Sequence, residues 1–396
     1  MPAAPRGGYE PATRRLASLL TDEEVELQAT ARRFMRDRIA PLTPEMEATG
    51  AIPAGLFAEM GEIGLLGTFF PEEYGGSGAS IVSRAIVSEE MARVNAGLDL
   101  SLFADIVLFA RALNNHGTEE QKQRYLVPVL RGDAIGCMGI TEPKGGSDAL
   151  SPATSARSDG GDYLLSGEKT FITNAPVADF FLILARTSVE AKKIDGGSWL
   201  IVERGAPGLE VGRPFSKLGM KSSPTGPVYM SEVRVPAAQM LGEVGRGFHR
   251  LLDSLDVERV LEGASTLGIA QACLDACAAY VQERRVFGRP IGTYQMIQEK
   301  IAEMAVGIEM TRAMLYRLLR AVDRGDKVTR EAAILKLYSS QAASKAAADA
   351  VQIFGGYGYM EDSPVARLYR DAKHHEIGAG TSEIMKLIIH RETMKQ

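Results

Sequence analysis

GITEPKGGSD, residues 139–148, is the stretch at which the chain changes character. Before it, from residue 21 to about 132, apolar residues recur at helical spacing; after it, to about residue 244, short β-prone runs alternate with Gly, Pro, Ser and Asp. Its glycines allow backbone N–H groups to converge, and its hydroxyls can bind phosphate or the edge of a ring. Taken alone, the segment is equally compatible with a tight turn.

The N-terminal part is predicted to be helical. Thr21 followed by Glu24 forms a capping box that opens a helix, and Pro41 is expected to end it. Residues 81–96 indicate a second helix, and residues 119–126 a short one. We therefore expect a flexible N-terminus over residues 1–20 and a helical domain over residues 21–134.

The central part is predicted to be a meandering antiparallel sheet, residues 135–246. Its β-prone runs cover residues 163–166, 170–173, 180–185, 199–202 and 228–235. The helical period returns from residue 247 to 396, with long helices and an Ala-rich stretch at 331–353 that predicts close helix packing. The fold class is thus α+β and multidomain, with three domains arranged around a cleft.

Bulk composition excludes several classes of protein. The 396 residues carry a formal net charge of -5, which gives no global attraction to nucleic acid or to an anionic membrane. No uninterrupted apolar run reaches the roughly 18 residues of a membrane helix. The three cysteines, Cys137, Cys273 and Cys277, are too few for a disulfide framework, which fits the cytoplasm. Cys273 and Cys277 lie one helical turn apart with no nearby His, so no metal site is predicted.

Four further segments are ambiguous when each is taken alone. KTFITN (169–174) is compatible with an ordinary strand, and RRVFG (284–288) with the solvated end of a helix. QIFGGYGY (352–359) ends a helix, where its glycine pair could form a cap. GAGTSE (378–383) precedes the last helix, which Thr381 or Ser382 would cap in any protein.

Together, in this order, these motifs resemble the acyl-CoA dehydrogenase family, and the likeness runs from about residue 21 to 390. The resemblance implies a helical N-terminal domain, a β middle domain and a C-terminal four-helix bundle, with FAD as cofactor and a homotetramer as the assembly. It also implies an acyl-CoA substrate and an electron-transfer flavoprotein as electron acceptor. The expected chemistry is α,β-dehydrogenation of a thioester, as in fatty acid or amino acid catabolism.

The resemblance also assigns cofactor positions. The flavin ring is expected beside Met138, Thr141, Ser147, Phe171 and Thr173, although the family often has Trp at the position of Phe171. The FAD of a neighbouring subunit is expected at Arg284, Phe287, Gln295, Gln352, Gly355 and Gly356. Near the last helix, Thr381 and Glu383 are expected to approach FAD.

Substrate positions follow from the same resemblance. The CoA side is expected at Ser147, Asp256, Arg259 and Gly380. Leu100 and Ala104 match positions that leave room for a branched acyl group in isovaleryl-CoA dehydrogenases, which predicts a short branched or cyclic acyl group. Either residue taken singly is compatible with helix core. Asp105, beside them, is either solvated or in contact with a polar or cyclic substrate.

The catalytic base is expected away from its commonest family position. Most members have Glu directly before the Gly-Thr of the last motif, where this chain has Ala379, whose methyl group cannot accept a proton. An isovaleryl-CoA dehydrogenase-like branch places Glu on the helix that opens the C-terminal domain, and this chain reads LDVER over residues 255–259 there. Glu258 is therefore the predicted base, with Glu262, one turn on, as the reserve.

Several alternatives stay open at this stage. A non-catalytic flavoprotein, a non-oxidative one such as a desulfinase, or an alkylthioester oxidase could share the fold, since fold does not fix function. The segments NAP (174–176) and SSP (222–224) also resemble dehydrogenases of carrier-protein-tethered thioesters.

Overall fold

The computed structural model describes residues 19–188 and 193–395, so most of the predicted flexible N-terminus lies outside the described residues. The N-terminal part is helical. Its α-helices are α1 (Asp22–Phe34), α2 (Ala40–Thr49), α3 (Leu56–Glu62), α4 (Ile81–Leu102), α5 (Arg111–His116), α6 (Glu119–Gln121) and α7 (Val127–Arg131). Segments of π-helix, Met35–Ile39, Phe103–Ala110 and Lys122–Leu126, join α1 to α2, α4 to α5 and α6 to α7.

The first helix begins as the sequence predicts and ends later than predicted. Thr21 and Glu24 form the capping box, each side chain bonded to the other's backbone N–H. Pro41 does not end the helix, because it occupies the first turn of α2, where a missing N–H costs nothing. The helical path therefore runs on to Gly50, which caps α2 in the left-handed conformation.

The helix predicted at 81–96 continues to Leu102 across a break at Asn95, whose φ is -149°. The Asn95 side chain accepts from the Leu98 N–H at 2.9 Å and donates to the Ser222 hydroxyl at 3.1 Å. Since Ser222 belongs to the middle part of the chain, the break joins α4 to the next domain.

The middle domain is a sheet of eight described strands: β1 (Gly136–Gly139), β2 (Ser155–Asp159), β3 (Asp162–Thr173), β4 (Phe180–Arg186), β5 (Gly197–Glu203), β6 (Leu209–Val211), β7 (Thr225–Val235) and β8 (Met240–Leu241). Their order in the sheet is β6-β7-β3-β2-β4-β5-β8, with β1 paired to β4. Most pairs are antiparallel, as predicted, but β1 runs parallel to β4, so the sheet is not a simple meander. The runs predicted at 163–166 and 170–173 form one strand, β3.

The C-terminal domain is a helical bundle. Its helices are α8 (Gly247–Glu283), α9 (Gln295–Asp323), α10 (Thr329–Phe354), α11 (Pro364–Ala372) and α12 (Ser382–Thr393), and a two-stranded hairpin, β9 (Arg285–Val286) and β10 (Arg289–Pro290), joins α8 to α9. The three long helices pack on one another, and the two short ones pack on α10. The Ala-rich stretch lies in α10, where Ala332, Ala343 and Ala347 are fully buried.

Helix α8 connects the C-terminal bundle to the N-terminal domain, since it packs against α4 as well as against α9 and α10. Within the described residues it is the one helix long and apolar enough to cross a membrane, with a mean hydropathy of 1.2 in its most apolar window. Of that window, 67% is buried inside the protein, and the core helix of a soluble protein meets the same criterion.

The crossing of α4 and α8 depends on a glycine. A Cβ at Gly268 would lie 2.4 Å from the Glu89 carbonyl oxygen, whereas at Gly307 on α9 it would meet nothing closer than 3.4 Å. We expect Gly268→Ala to lower the free energy of unfolding by about 1–3 kcal/mol, because the helices must move apart. Gly307→Ala should leave it unchanged or raise it by up to ~1 kcal/mol, because Ala favours the helix. Urea unfolding of both variants tests this, and equal effects would contradict it.

Candidate active site

A narrow cleft lies between α8 and the helical path that leads from α4 into α5. Its empty space, part of which is open solvent, amounts to about 350 Å³. The lining residues are Leu108, Arg111, Ala112, Asn115, His116, Met138, Trp199, Leu241, Arg250, Leu251, Ser254 and Glu258. Glu258, the base predicted from the sequence, is thus on the wall of a cleft and not on a solvated helix face.

The carboxyl group of Glu258 is only 4% exposed and has no ion pair within 4.0 Å among the described residues. Burial raises its pKa, and the neighbouring Glu262 adds to this effect. The Ser254 hydroxyl and the positive charges of Arg111 and Arg259 act in the opposite direction. A carboxylate whose pKa is raised in this way is a stronger proton acceptor than an exposed one.

Glu262, one turn further along α8, is equally buried but has direct partners. Its Oε1 lies 3.0 Å from His375 Nδ1, and the Nε2 of the same ring lies 3.3 Å from the Ser265 hydroxyl. Burial alone would raise the pKa of Glu262, but Lys336 and His375 together hold it below its ordinary value. The two carboxylates therefore differ in what they can do: Glu258 is free to accept a proton, and Glu262 is stabilised as an anion.

The loop that carries the family's usual base has no acid and is fixed through its backbone. Ala379 has a φ of 50° and Gly380 a φ of 102°. Lys336 donates to the Gly380 carbonyl at 2.7 Å, and Arg259 Nε lies 3.5 Å from the Ala379 carbonyl. The structure thereby brings together two of the predicted CoA-side positions, Arg259 and Gly380. Asp256 lies next to them, 3.7 Å from Arg259, and accepts from the Thr329 hydroxyl at 2.5 Å.

The glycine-rich loop 139–148 is fixed to strand β3 by an interaction that sequence reasoning missed. Lys169, fully buried, donates to Glu142 at 2.8 Å and to the Ile140 carbonyl at 3.1 Å. Glu142 also accepts from the N–H groups of Ala153 and Thr154, at 2.6 and 3.0 Å. Only the unusual Lys within a β-prone run could have signalled this pair. Met138 and Thr141 remain half-buried beside it, and Ser147 is exposed.

A bulge in β3 turns an aromatic ring outward. The register against β7 shifts between Lys169 and Ile172, and Phe171 takes a φ of 58°. Its ring is 66% exposed and lies 5.5 Å from that of Phe215, with Thr173 half-buried two residues on. An exposed ring face beside the Thr141 and Thr173 hydroxyls fits a planar, polar-edged ring system such as isoalloxazine.

The second group of predicted cofactor positions lies on the surface of the C-terminal domain. The Arg284 guanidinium is 5.7 Å from the Tyr357 ring centroid, which brings the hairpin close to the turn that follows α10. Phe287, at the tip of the hairpin, is 92% exposed, and a Cβ at Gly355 or Gly356 would meet nothing within 4 Å. Gln295 and Gln352 are also exposed. These residues form an open surface on one chain.

The last helix begins as the sequence predicts. The Thr381 hydroxyl accepts from the Ile384 N–H at 3.3 Å and so caps α12. Glu383 is exposed in the first turn, where a negative charge complements the helix dipole. The capping role is therefore confirmed, while the contacts of both residues with FAD stay a prediction.

Asp105 does not line the cleft, contrary to the substrate contact that the sequence suggested. Its side chain is fully buried, and Oδ1 accepts from the Gly136 N–H at 2.6 Å. It therefore bridges the N-terminal domain to the first strand of the sheet, and burial raises its pKa well above the ordinary value. Ala104 is buried and Leu100 half-buried on the same helical path. The cleft wall beside Glu258 is formed instead by Leu108 and Arg111. Arg111 is the single cation in the apolar run 106–113, and this was the sequence signal that could have identified the wall.

Models of three acyl-CoA dehydrogenase domains match the chain: the N-terminal domain over residues 21–133, the middle domain over 137–233 and the C-terminal domain over 245–394. Among curated relatives, a probable acyl-CoA dehydrogenase of Bacillus subtilis (strain 168) is 43% identical, over 95% of this chain and 99% of its own length. The mitochondrial isovaleryl-CoA dehydrogenase of Solanum tuberosum is 37% identical, over 96% and 92%. The cyclohexane-1-carbonyl-CoA dehydrogenase of Geobacter metallireducens is 39% identical, over 95% and 99%.

Solved structures agree. Butyryl-CoA dehydrogenase of Megasphaera elsdenii has a TM-score of 0.91 at 37% identity, covering 95% of this chain and 99% of its own. A chain from a structure of the electron transferring flavoprotein of Acidaminococcus fermentans has a TM-score of 0.92 at 36% identity, with 95% and 99% covered. The FAD complex of PigA has a TM-score of 0.91 at 28% identity, with 95% and 98% covered.

The Glu142–Lys169 pair generates a prediction about the glycine-rich loop. Lys169→Met leaves the Glu142 carboxylate buried without its cation, so we expect the free energy of unfolding to fall by about 3 kcal/mol or more. Lys144→Met removes an exposed lysine of the same loop and should change it by less than about 0.5 kcal/mol. Urea unfolding at neutral pH measures both. A Lys169→Met protein as stable as the Lys144→Met control would show that the pair does not fix the loop.

Proposed function

The chain belongs to the acyl-CoA dehydrogenase family, and from that premise we propose that it oxidises a short branched or cyclic acyl-CoA, with Glu258 as the catalytic base. Members of the family are FAD enzymes, and this chain is an oxidoreductase that acts on acyl-CoA with FAD as cofactor.

One observation carries the assignment of the base. The position before Gly380 and Thr381 holds Ala379, while a buried carboxylate with a raised pKa and no ion pair faces the cleft from α8. An α-proton of a thioester is weakly acidic, so its removal needs a carboxylate in a site from which water is excluded. Among the described cleft residues, Glu258 is the one carboxylate.

The chain's own residues perform three tasks in this proposal. Glu258 accepts the α-proton. A backbone N–H beside the last helix donates to the oxygen that becomes negative, in the loop that Lys336 and Arg259 fix. The apolar wall of Leu108, Met138 and Trp199 excludes water from the reacting carbons. When bound, FAD supplies the acceptor for the β-hydride.

The proposed FAD contacts form two groups. The exposed ring of Phe171 on β3, with Thr141, Ser147 and Thr173, is the group proposed to hold the flavin ring. The Arg284–Tyr357 contact, the exposed Phe287 and the open Gly355–Gly356 turn fit the FAD of another copy. Split contacts of this kind support a homotetramer, because an exposed apolar surface on one chain becomes buried on assembly. An electron-transfer flavoprotein as acceptor is supported by the similarity to a chain solved with one.

The relatives named for branched and cyclic substrates support the proposed acyl group. The two segments that suggested a carrier-protein substrate have a structural role that accounts for them. Asn174, Ser222 and Ser223, in the segments that suggested it, are fully buried at the junction of the first two domains, where Ser223 bonds Ser101 at 3.0 Å. The free and buried state of all three cysteines supports a reducing compartment such as the cytoplasm.

Glu258→Gln tests the base, since it keeps the shape of the side chain and removes its basicity. We expect FAD and thioester binding to persist and the rate of flavin reduction to fall at least ~100-fold. In the unsubstituted enzyme that rate should fall as pH drops through the raised pKa of Glu258, because a protonated carboxyl accepts no proton. Anaerobic stopped-flow absorbance of the flavin measures both effects.

Glu262→Gln is the matched control, because it removes a carboxylate one turn away that is held by His375 and Lys336. Its rate of flavin reduction should stay within ~10-fold of normal. Near-normal reduction by Glu258→Gln would disprove its role, and a large loss in Glu262→Gln alone would assign the base to Glu262.

A panel of thioesters tests the acyl group. We expect kcat/KM to be higher for isovaleryl-CoA and cyclohexane-1-carbonyl-CoA than for palmitoyl-CoA, because the cleft beside Glu258 is narrow and relatives of this chain are named for branched and cyclic acyl-CoA. Steady-state rates with an artificial electron acceptor provide the comparison. Highest kcat/KM on palmitoyl-CoA would rule out the short-chain proposal.

A further inference from the structure

The two walls of the cleft become polar away from Glu258. On one wall, residues at helical spacing face the cleft: Leu108, Arg111, Ala112 and Asn115. On the other, α8 contributes Glu258, Ser254, Leu251 and Arg250. Arg250 lies eight residues before Glu258, about 12 Å along the helix axis. His116 and Asn115 are exposed, so the cleft reaches solvent at this distal end.

Arg111 is the unusual residue of this wall. It interrupts the apolar run 106–113 and is half-buried. Among the described residues, its guanidinium makes no hydrogen bond and no ion pair within 4.0 Å; Glu258 affects it only through longer-range attraction. A guanidinium carries five N–H donors, and desolvating it without partners costs free energy.

Two further basic side chains lie near Arg111. All three line the same end of the cleft. Burial lowers the pKa of His116, and the positive charges of Arg250 and Arg111 lower it further. Arg250 uses one N–H on the Leu241 carbonyl at 2.9 Å. The acids that face this group are Asp253, which acts on His116, and Glu258; neither forms an ion pair with Arg111. The distal end of the cleft is therefore a region of positive potential.

We propose that Arg111, with His116 and Arg250 beside it, forms an anion subsite at the distal end of the acyl cleft, so that a short acyl group with a carboxylate at its far end is preferred over its uncharged counterpart of matched length. The inference rests on the proposed function, because it takes Glu258 to mark the reacting end. Arg is suited to this role, since its planar fork matches the two oxygens of a carboxylate. The preferred acyl group is still short, and the carboxylate at its far end determines which thioester the enzyme prefers.

A second role for Arg111, in which it acts only on the protonation of Glu258, predicts a different set of substrate preferences. If Arg111 served only to lower the pKa of the base, its removal would affect all thioesters alike. A subsite instead changes the ratio between substrates with and without the distal carboxylate. The selectivity ratio therefore separates the two roles.

The experiment compares glutaryl-, adipyl- and pimelyl-CoA monothioesters with valeryl-, hexanoyl- and heptanoyl-CoA of matched length. At the best length, we expect kcat/KM of the ω-carboxyacyl-CoA to exceed that of its uncharged partner at least ~10-fold, the effect of a charge-assisted hydrogen bond. Arg111→Met should abolish this preference, and Arg111→Lys should keep part of it, since a point charge replaces the fork. Arg131→Met, an exposed arginine outside the cleft, should keep it in full.

A binding measurement separates failure of the subsite from failure of the proposed reaction. In 3-thia analogues of the same thioesters, sulfur replaces the β-carbon, so no β-hydride is available and calorimetry reports binding alone. If no thioester reduces the flavin but the carboxylated analogues bind more tightly and lose this advantage in Arg111→Met, the subsite stands and the reaction is wrong. If the wild-type enzyme prefers the uncharged thioester at every length, the subsite is wrong whatever the variants do, while the dehydrogenase proposal stands.

Discussion

The close approach of α4 and α8 is the constraint on which the site depends. Gly268 lets the helices meet at the Glu89 backbone, and the same pair of helices, extended, forms the cleft walls further along. Because the walls come from different domains, residues separated by about 150 positions in sequence face each other across the cleft. Packing at one end of the crossing therefore sets the width available for a substrate at the other.

Burial at this crossing gives two neighbouring carboxylates opposite properties. Glu258 and Glu262 lie one turn apart on α8 and are both almost inaccessible to solvent. Glu262 has Lys336 and His375 to stabilise its charge, whereas Glu258 has the Ser254 hydroxyl, longer-range attraction to Arg111 and Arg259, and the repulsion of Glu262 itself. Desolvation is thus offset in one case and left to raise the pKa in the other. The fixed anion helps to make its neighbour a base.

The sequence predicted the fold well where periodicity and capping chemistry are local. The helix starts at Thr21 and Thr381 were found because a capping side chain lies next to the N–H that it accepts from. The helix end predicted at Pro41 was wrong, because proline is tolerated in the first turn of a helix and Pro41 lies in the first turn of α2. The π-helical segment Met35–Ile39 joins α1 to α2 directly before it. The parallel pairing of β1 with β4 could not be predicted, since it joins strands about 40 residues apart with no local signal.

The site shows the same division between local and long-range information. Glu258 was accessible to sequence reasoning because a motif surrounds it and Ala379 is missing its acid. Arg111 and the Glu142–Lys169 pair were not, because a charged residue in an apolar or β-prone run gains its meaning only from the partner, or the absence of a partner, that the fold supplies. Asp105 is the reverse case: its side chain is fully buried outside the cleft lining, and its Oδ1 accepts from the Gly136 N–H.

The loop at Ala379 connects these observations. Without a carboxylate, the loop is free to be held by its carbonyls, and Arg259 and Lys336 take them while also lying near Glu262. An acid at position 379 would place a third carboxylate among those cations and compete with Glu262 for Lys336. The absence of an acid on the loop, the anionic state of Glu262 and the raised pKa of Glu258 are therefore one electrostatic arrangement. The proposed position of the base on α8 instead of the loop is consistent with all three.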